Sequence, residues 1–177
     1  MKLLILLIFT LFTLPIFGQL PKDWTGVYSG KMYILAENFK PDSVDLRITI
    51  EEKTLDSLWK FNMYYKSAKY PDVEKDYLIV YSKTKDRFYL DEQNGIIIDV
   101  TFLNNTLYEF YEVDNQFYAV TFKKTKEGLN FEIIGSSTNP SSETKSQPDQ
   151  NNIVYNVFSL KPSFVQSAIL KIKQNVE

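Results

Sequence analysis

From Thr25 onward, apolar and polar side chains alternate in short runs rich in Tyr, Phe, Ile and Val, broken by Asp, Asn, Lys and Gly. In an extended segment successive side chains point to opposite faces, so this pattern predicts antiparallel strands, each with one apolar face. It places them at 26–36, 44–51, 58–66, 76–83, 87–91, 96–103, 106–113, 116–125, 129–136 and 153–161. Asn94-Gly95, Asn104-Asn105, Asp114-Asn115 and Glu127-Gly128 lie between consecutive runs, and these residue types favour the positive φ of tight hairpin turns. Consecutive strands should therefore pair. About ten such strands sharing one apolar face hide it by closing into an up-and-down barrel or by folding over as a sandwich. Closure has the further merit of leaving no unpaired edge. The expected fold class is all-β, an antiparallel up-and-down barrel of about eight to ten strands.

Two segments depart from the rhythm. Residues 137–152 are polar, contain Pro140 and Pro148 and offer nothing to a core, which predicts a flexible loop between strands. Residues 163–173 fit either a short amphipathic C-terminal helix or a last strand, and the two readings stay open. Shorter loops are expected at 38–43 and 70–75.

The chain opens differently, with Lys2 and then a nearly unbroken apolar run from Leu3 to Phe17. That is the anatomy of a signal peptide, with cleavage expected after Gly18. The run falls short of the roughly 20 residues that span a bilayer. With no cysteine in the sequence, a lipid-modified cysteine anchor is excluded. The expectation is a periplasmic or secreted protein, not a lipoprotein, with no stable membrane insertion and a single domain over 19–177. Stability must come from packing, because no disulfide can form.

The 177-residue chain has a net charge of −2, and the leader's only charge is Lys2. No basic stripe marks a nucleic-acid partner. The sequence also lacks histidine, which removes Ser-His-Asp and Cys-His catalysis, His-ligated zinc and His- or Cys-ligated haem. Carboxylates remain: Asp91, Glu92 and Asp99 flank one predicted hairpin, where they can be read as an acid–base pair or, with Asn94, as calcium ligands. Acids beside an Asn-Gly turn ordinarily shape and solvate it, and the spacing is not that of an EF-hand. No catalytic residue, metal or cofactor is therefore assigned.

Binding has the better basis. Aromatic residues make up 15% of the chain. Trp59, Phe61, Met63 and Tyr65 share one face of a predicted strand, and Tyr77, Ile79 and Tyr81 one face of the next. Such faces either line a cavity or fill a core. Polar residues amid apolar neighbours, namely Arg47, Asn62, Asp99, Glu132 and Asn156, are candidates to orient a ligand. The ligand-binding set taken forward is Trp59, Phe61, Met63, Tyr65, Tyr77, Arg47 and Glu132. Arg47 alternates with Leu46, Ile48 and Ile50, so it lies outside if those three form the core.

At Asp23-Trp24-Thr25-Gly26-Val27-Tyr28 the chain resembles the opening of the calycin barrels, the lipocalins and fatty-acid-binding-like proteins, whose first strand starts with Trp-x-Gly-x-Tyr/Trp. The resemblance implies a lipocalin-like barrel closed at its base by Trp24, with Gly26 starting the first strand. It further implies a basic side chain from near the last strand against that Trp. Lys171 or Lys173 lies in a plausible place, and the usual Arg is absent. Residues 89–96 look like a segment of uncharacterised exported bacterial β-proteins of lipocalin-like type, which brings no activity with it. The expected function is binding of a small hydrophobic or amphipathic molecule. The alternative is a filled barrel, an envelope or interaction protein that contacts a protein or glycan.

Overall fold

The computed structural model describes residues 20–173. The signal-peptide expectation lies outside them. Strands form where side chains alternate: β1 (Gly26–Ala36), β2 (Asp42–Thr54), β3 (Leu58–Lys66), β4 (Val73–Ser82), β5 (Arg87–Asp91), β6 (Ile97–Leu103), β7 (Thr106–Val113), β8 (Gln116–Lys124) and β9 (Gly128–Ser137). Each pairs antiparallel with the next. The chain then makes an excursion, β10 (Ser142–Lys145) and β11 (Asn156–Ser159), and returns as β12 (Pro162–Ile172), which pairs with both β9 and β1. The result is a closed barrel of ten strands with a two-stranded arm outside it.

Turn chemistry sets the register. Asn104 and Asn105, and likewise Asp114 and Asn115, all have positive φ, the two-residue hairpin geometry that matches strand twist. The second turn pairs Val113 with Gln116 and so fixes Tyr111 opposite Tyr118, Glu109 opposite Val120 and Leu107 opposite Phe122.

The C-terminal segment is a strand, not a helix. Its Ala168 and Leu170 are buried while Ile169 between them is exposed, a period of two. The run predicted at 153–161 contributes only β11, which pairs with β10 off the barrel. Alternation reveals an extended segment but not the sheet it joins. The predicted loop 137–152 accordingly carries one strand of this arm. Asp149 organises the arm's tip by accepting hydrogen bonds from the backbone N–H groups of Asn151 and Ile153 and from the Tyr155 hydroxyl.

Inside, aromatic side chains stack in layers. At one end a short 3-10 turn, Lys22–Trp24, lays Trp24 across the barrel with no solvent exposure, edge-on to Phe102 at 5.6 Å. Above it Phe88 meets Trp59, Tyr81 and Phe102 at 5.0 to 6.3 Å. Phe122 then joins Phe61 and Phe131, each at 5.0 Å. At the other end Tyr111 stacks on Tyr118 at 5.1 Å. The end at Trp24 is the base; the end from which the β10–β11 arm leaves is the mouth.

Gly26 has φ of 145°, a backbone region that side chains other than glycine rarely enter, so glycine belongs where the chain turns from the base into β1. Lys171 is exposed on the outer face. The basic side chain at the base is Lys124 from β8. Its ammonium lies 5.8 Å from the centre of the Tyr28 ring and 4.0 Å from the Asp23 carboxylate.

Candidate functional site: a mouth-end cavity

Between the Phe122 layer and the mouth the interior is not filled. A partly open cavity of about 100 Å³ is bounded by β3 to β9, with Phe61, Met63, Leu90, Ile98, Val120, Phe122, Phe131 and Ile133 as apolar walls. Tyr65, Tyr77, Tyr111, Glu92 and Glu109 supply its polar atoms. This volume holds roughly three waters. Drug-sized pockets run to several hundred Å³.

Five of the seven sequence-derived ligand residues converge on this end of the barrel or the core beneath it. Phe61, Met63, Tyr65 and Tyr77 line the cavity. Trp59 shares their face but lies deeper, buried against Phe88. The other two are not brought to the cavity. Leu46, Ile48 and Ile50 are the buried face of β2, so Arg47 points outward, where its guanidinium lies 4.8 Å from the centre of the Tyr64 ring. Glu132 is exposed on the outer face of β9, in a shallow open depression with Lys31, Lys123 and Ile169.

The three hairpin acids diverge. Asp99 pairs with Arg87 at 2.9 Å on the outside, Asp91 caps the turn by accepting from the Gln93 N–H, and only Glu92 reaches the cavity. Asn62 is buried on the outer side of β3 and donates to Glu74 and Asp76. Asn156 is exposed on β11.

Sequence reasoning missed Glu109. It is 5% exposed, and its carboxyl makes no hydrogen bond among the described residues. Desolvation, assisted by the nearby charge of Glu92, pushes its pKa up to about 8. A buried carboxyl without a partner takes up a proton rather than stand as a bare charge. The signal was available in the hairpin turn at Asp114-Asn115, whose register sets Glu109 on the same face as Val120 and Phe122. Around it the tyrosine hydroxyls stay protonated: burial pushes Tyr77 up to about 12 and raises Tyr65 and Tyr111 as well. Tyr65 donates weakly to the Met63 sulfur at 3.6 Å. Among the described residues, no lysine or arginine lines the cavity.

What the site can do follows from these groups. It offers aromatic walls, hydroxyl donors and acceptors, and an acid with unmet hydrogen-bonding capacity. Such convergent polar groups in an apolar recess orient a ligand. The fold is a closed antiparallel ten-strand β-barrel, compatible with the calycin-like architecture. A scan against protein-family models finds no match, and searches of curated proteins and of solved structures find none either.

Proposed function

We propose that this is an exported, calycin-like binding protein that takes a small hydrophobic or amphipathic molecule into the mouth end of its barrel. The observation that carries the reading is the contrast in filling. Below the Phe122 layer the interior is filled by buried side chains, whereas above it an apolar recess is lined by a buried carboxyl that makes no hydrogen bond among the described residues. Natural cores leave few polar groups unsatisfied, and those few call for a reason. A ligand is such a reason. The recess is small, so it receives one end of the molecule while the remainder extends toward the mouth.

The test is native mass spectrometry of the full-length chain expressed with its leader and recovered from a bacterial periplasm, followed by organic extraction. A retained small molecule, lost in Val120→Phe, which fills the cavity, is the expected result. A bare mass together with no binding of any small apolar or amphipathic probe would reject the reading. Release of the chain without residues 1–18 is expected in the same spectrum.

A second reading, the filled barrel that contacts a protein or glycan, is favoured by the arm. Val154, Tyr155, Val157 and Phe158 on it are each about half exposed. Apolar clusters of this kind often mark interaction sites. Loss of partner capture on removing the arm, with no ligand in the barrel, would favour this reading over the first.

A further inference from the structure

The chemistry of the cavity narrows the ligand. An anionic head group entering it would meet Glu109 and Glu92 and no compensating cation, since among the described residues neither lysine nor arginine lines the recess. Like charges brought together at low dielectric repel strongly. A wholly apolar ligand would leave the Glu109 carboxyl as unpartnered as it is now, a cost with no return. A protonated amine meets the opposite conditions. Its N–H groups can donate to the Glu109 and Glu92 carboxylates and to tyrosine oxygens, and aromatic rings attract cations. The volume of about 100 Å³ suits an ammonium head with a few carbons, not a long chain.

Resting on the binding function above, we infer that the cavity binds the ammonium head of a small amphipathic amine, with Glu109 as its buried counter-ion and Glu92 as a second acid at the rim. The titratable groups that face Glu109 across the cavity are Glu92, Tyr65, Tyr77 and Tyr111. An alkylamine is protonated at neutral pH, as a lysine side chain is. When its ammonium enters, the neutral Glu109 carboxyl loses its proton to solvent, so a cation is gained and a proton released. Amine affinity therefore rises with pH across the range in which free Glu109 is still protonated. It falls again once the amine itself deprotonates.

The experiment is isothermal titration of the periplasmic protein with n-hexylamine, n-hexanol and hexanoate at pH 7, repeated in two buffers of different ionisation enthalpy. Expected are tightest binding of hexylamine, no binding of hexanoate, and a buffer dependence reporting about one proton released per amine. Glu109→Gln, close in shape, should weaken hexylamine tenfold or more, because the cation loses its charged partner. The same change should abolish proton release. Glu92→Gln should weaken the amine less, which provides a second variant if the first does not fold. Hexanoate or hexanol binding as tightly as the amine, or an unchanged amine affinity in Glu109→Gln, would overturn the inference while leaving the binding function standing. Failure of all three probes would remove both.

Discussion

The base and the mouth of this barrel use similar aromatic side chains to opposite effect. At the base, Trp24, Trp59, Phe88 and Phe102 interlock, and the chain's own N-terminal segment plugs the opening with Leu20 and Trp24. Among the polar groups there, the Tyr28 hydroxyl donates to the Trp24 carbonyl at 2.7 Å and Lys124 sits between Tyr28 and Asp23, while the buried Trp24 Nε1 has no hydrogen-bond partner among the described residues. At the mouth, Tyr65, Tyr77 and Tyr111 stand around a gap, and Glu109 is desolvated and makes no hydrogen bond among the described residues. The base is filled by buried side chains; the mouth keeps a recess lined by a buried acid.

The largest effect should come from breaking the base. Trp24→Ala removes a fully buried indole and should cost about 3–5 kcal/mol in urea unfolding, within the range for aromatic truncations in cores. Amine binding at the mouth should survive it below the new transition. Loss of binding in parallel with stability would show that the two ends are not separable.

Next in size is a pH effect at the mouth. Glu109 is raised from 4.5 to about 8, so the folded state keeps its proton where the unfolded state has lost it. Its contribution is therefore most favourable below about pH 4.5 and declines as pH rises toward 8, by about 1.4 kcal/mol per unit at most. Glu109→Gln, which cannot ionise, should gain on the wild type by a few kcal/mol between pH 4.5 and 8 in denaturant titrations. An unchanged difference across that range would place Glu109 in water.

A smaller effect is expected at the base cation. Lys124→Met keeps the apolar stem and removes the charge near the Tyr28 ring and Asp23, and should cost about 1 kcal/mol. The smallest belongs to the arm. All residues of β10 and β11 are exposed, so replacing 139–160 by a short turn should change unfolding stability by less than about 0.5 kcal/mol. A larger loss would mean that the arm packs on the barrel.

Most of the architecture was legible because β-structure writes itself into local pattern. The bounds of β1, β3, β5 and β7 follow directly from alternation and from Asn- and Asp-containing turns. The last strand was ambiguous because Ser163 to Lys173 mixes apolar and polar residues in a way that fits either period, and only the gap between β9 and β1 decides it. The arm was illegible as an arm, since pairing partners outside a core leave no mark in burial. At the site, the aromatic faces of β3 and β4 are visible from spacing, whereas Arg47, taken as a ligand residue, lies outside because Leu46, Ile48 and Ile50 form the buried face. Glu109 escaped because β7 is apolar on both faces, with Phe110 exposed next to it, so alternation alone did not pick its inner side. The Lys124 contact escaped for another reason: it joins β8 to the N-terminal turn, a proximity created only by closure.

On the proposed reading, the buried acid at the mouth, which makes no hydrogen bond among the described residues, pairs with an entering cation. The most direct test is a carbon-detected NMR titration of the Glu109 side-chain carboxyl, without and with hexylamine. The account predicts a midpoint near 8 in the free protein, moving well down into the acidic range when the amine is bound. A midpoint in the ordinary glutamate range, unmoved by hexylamine, would contradict it.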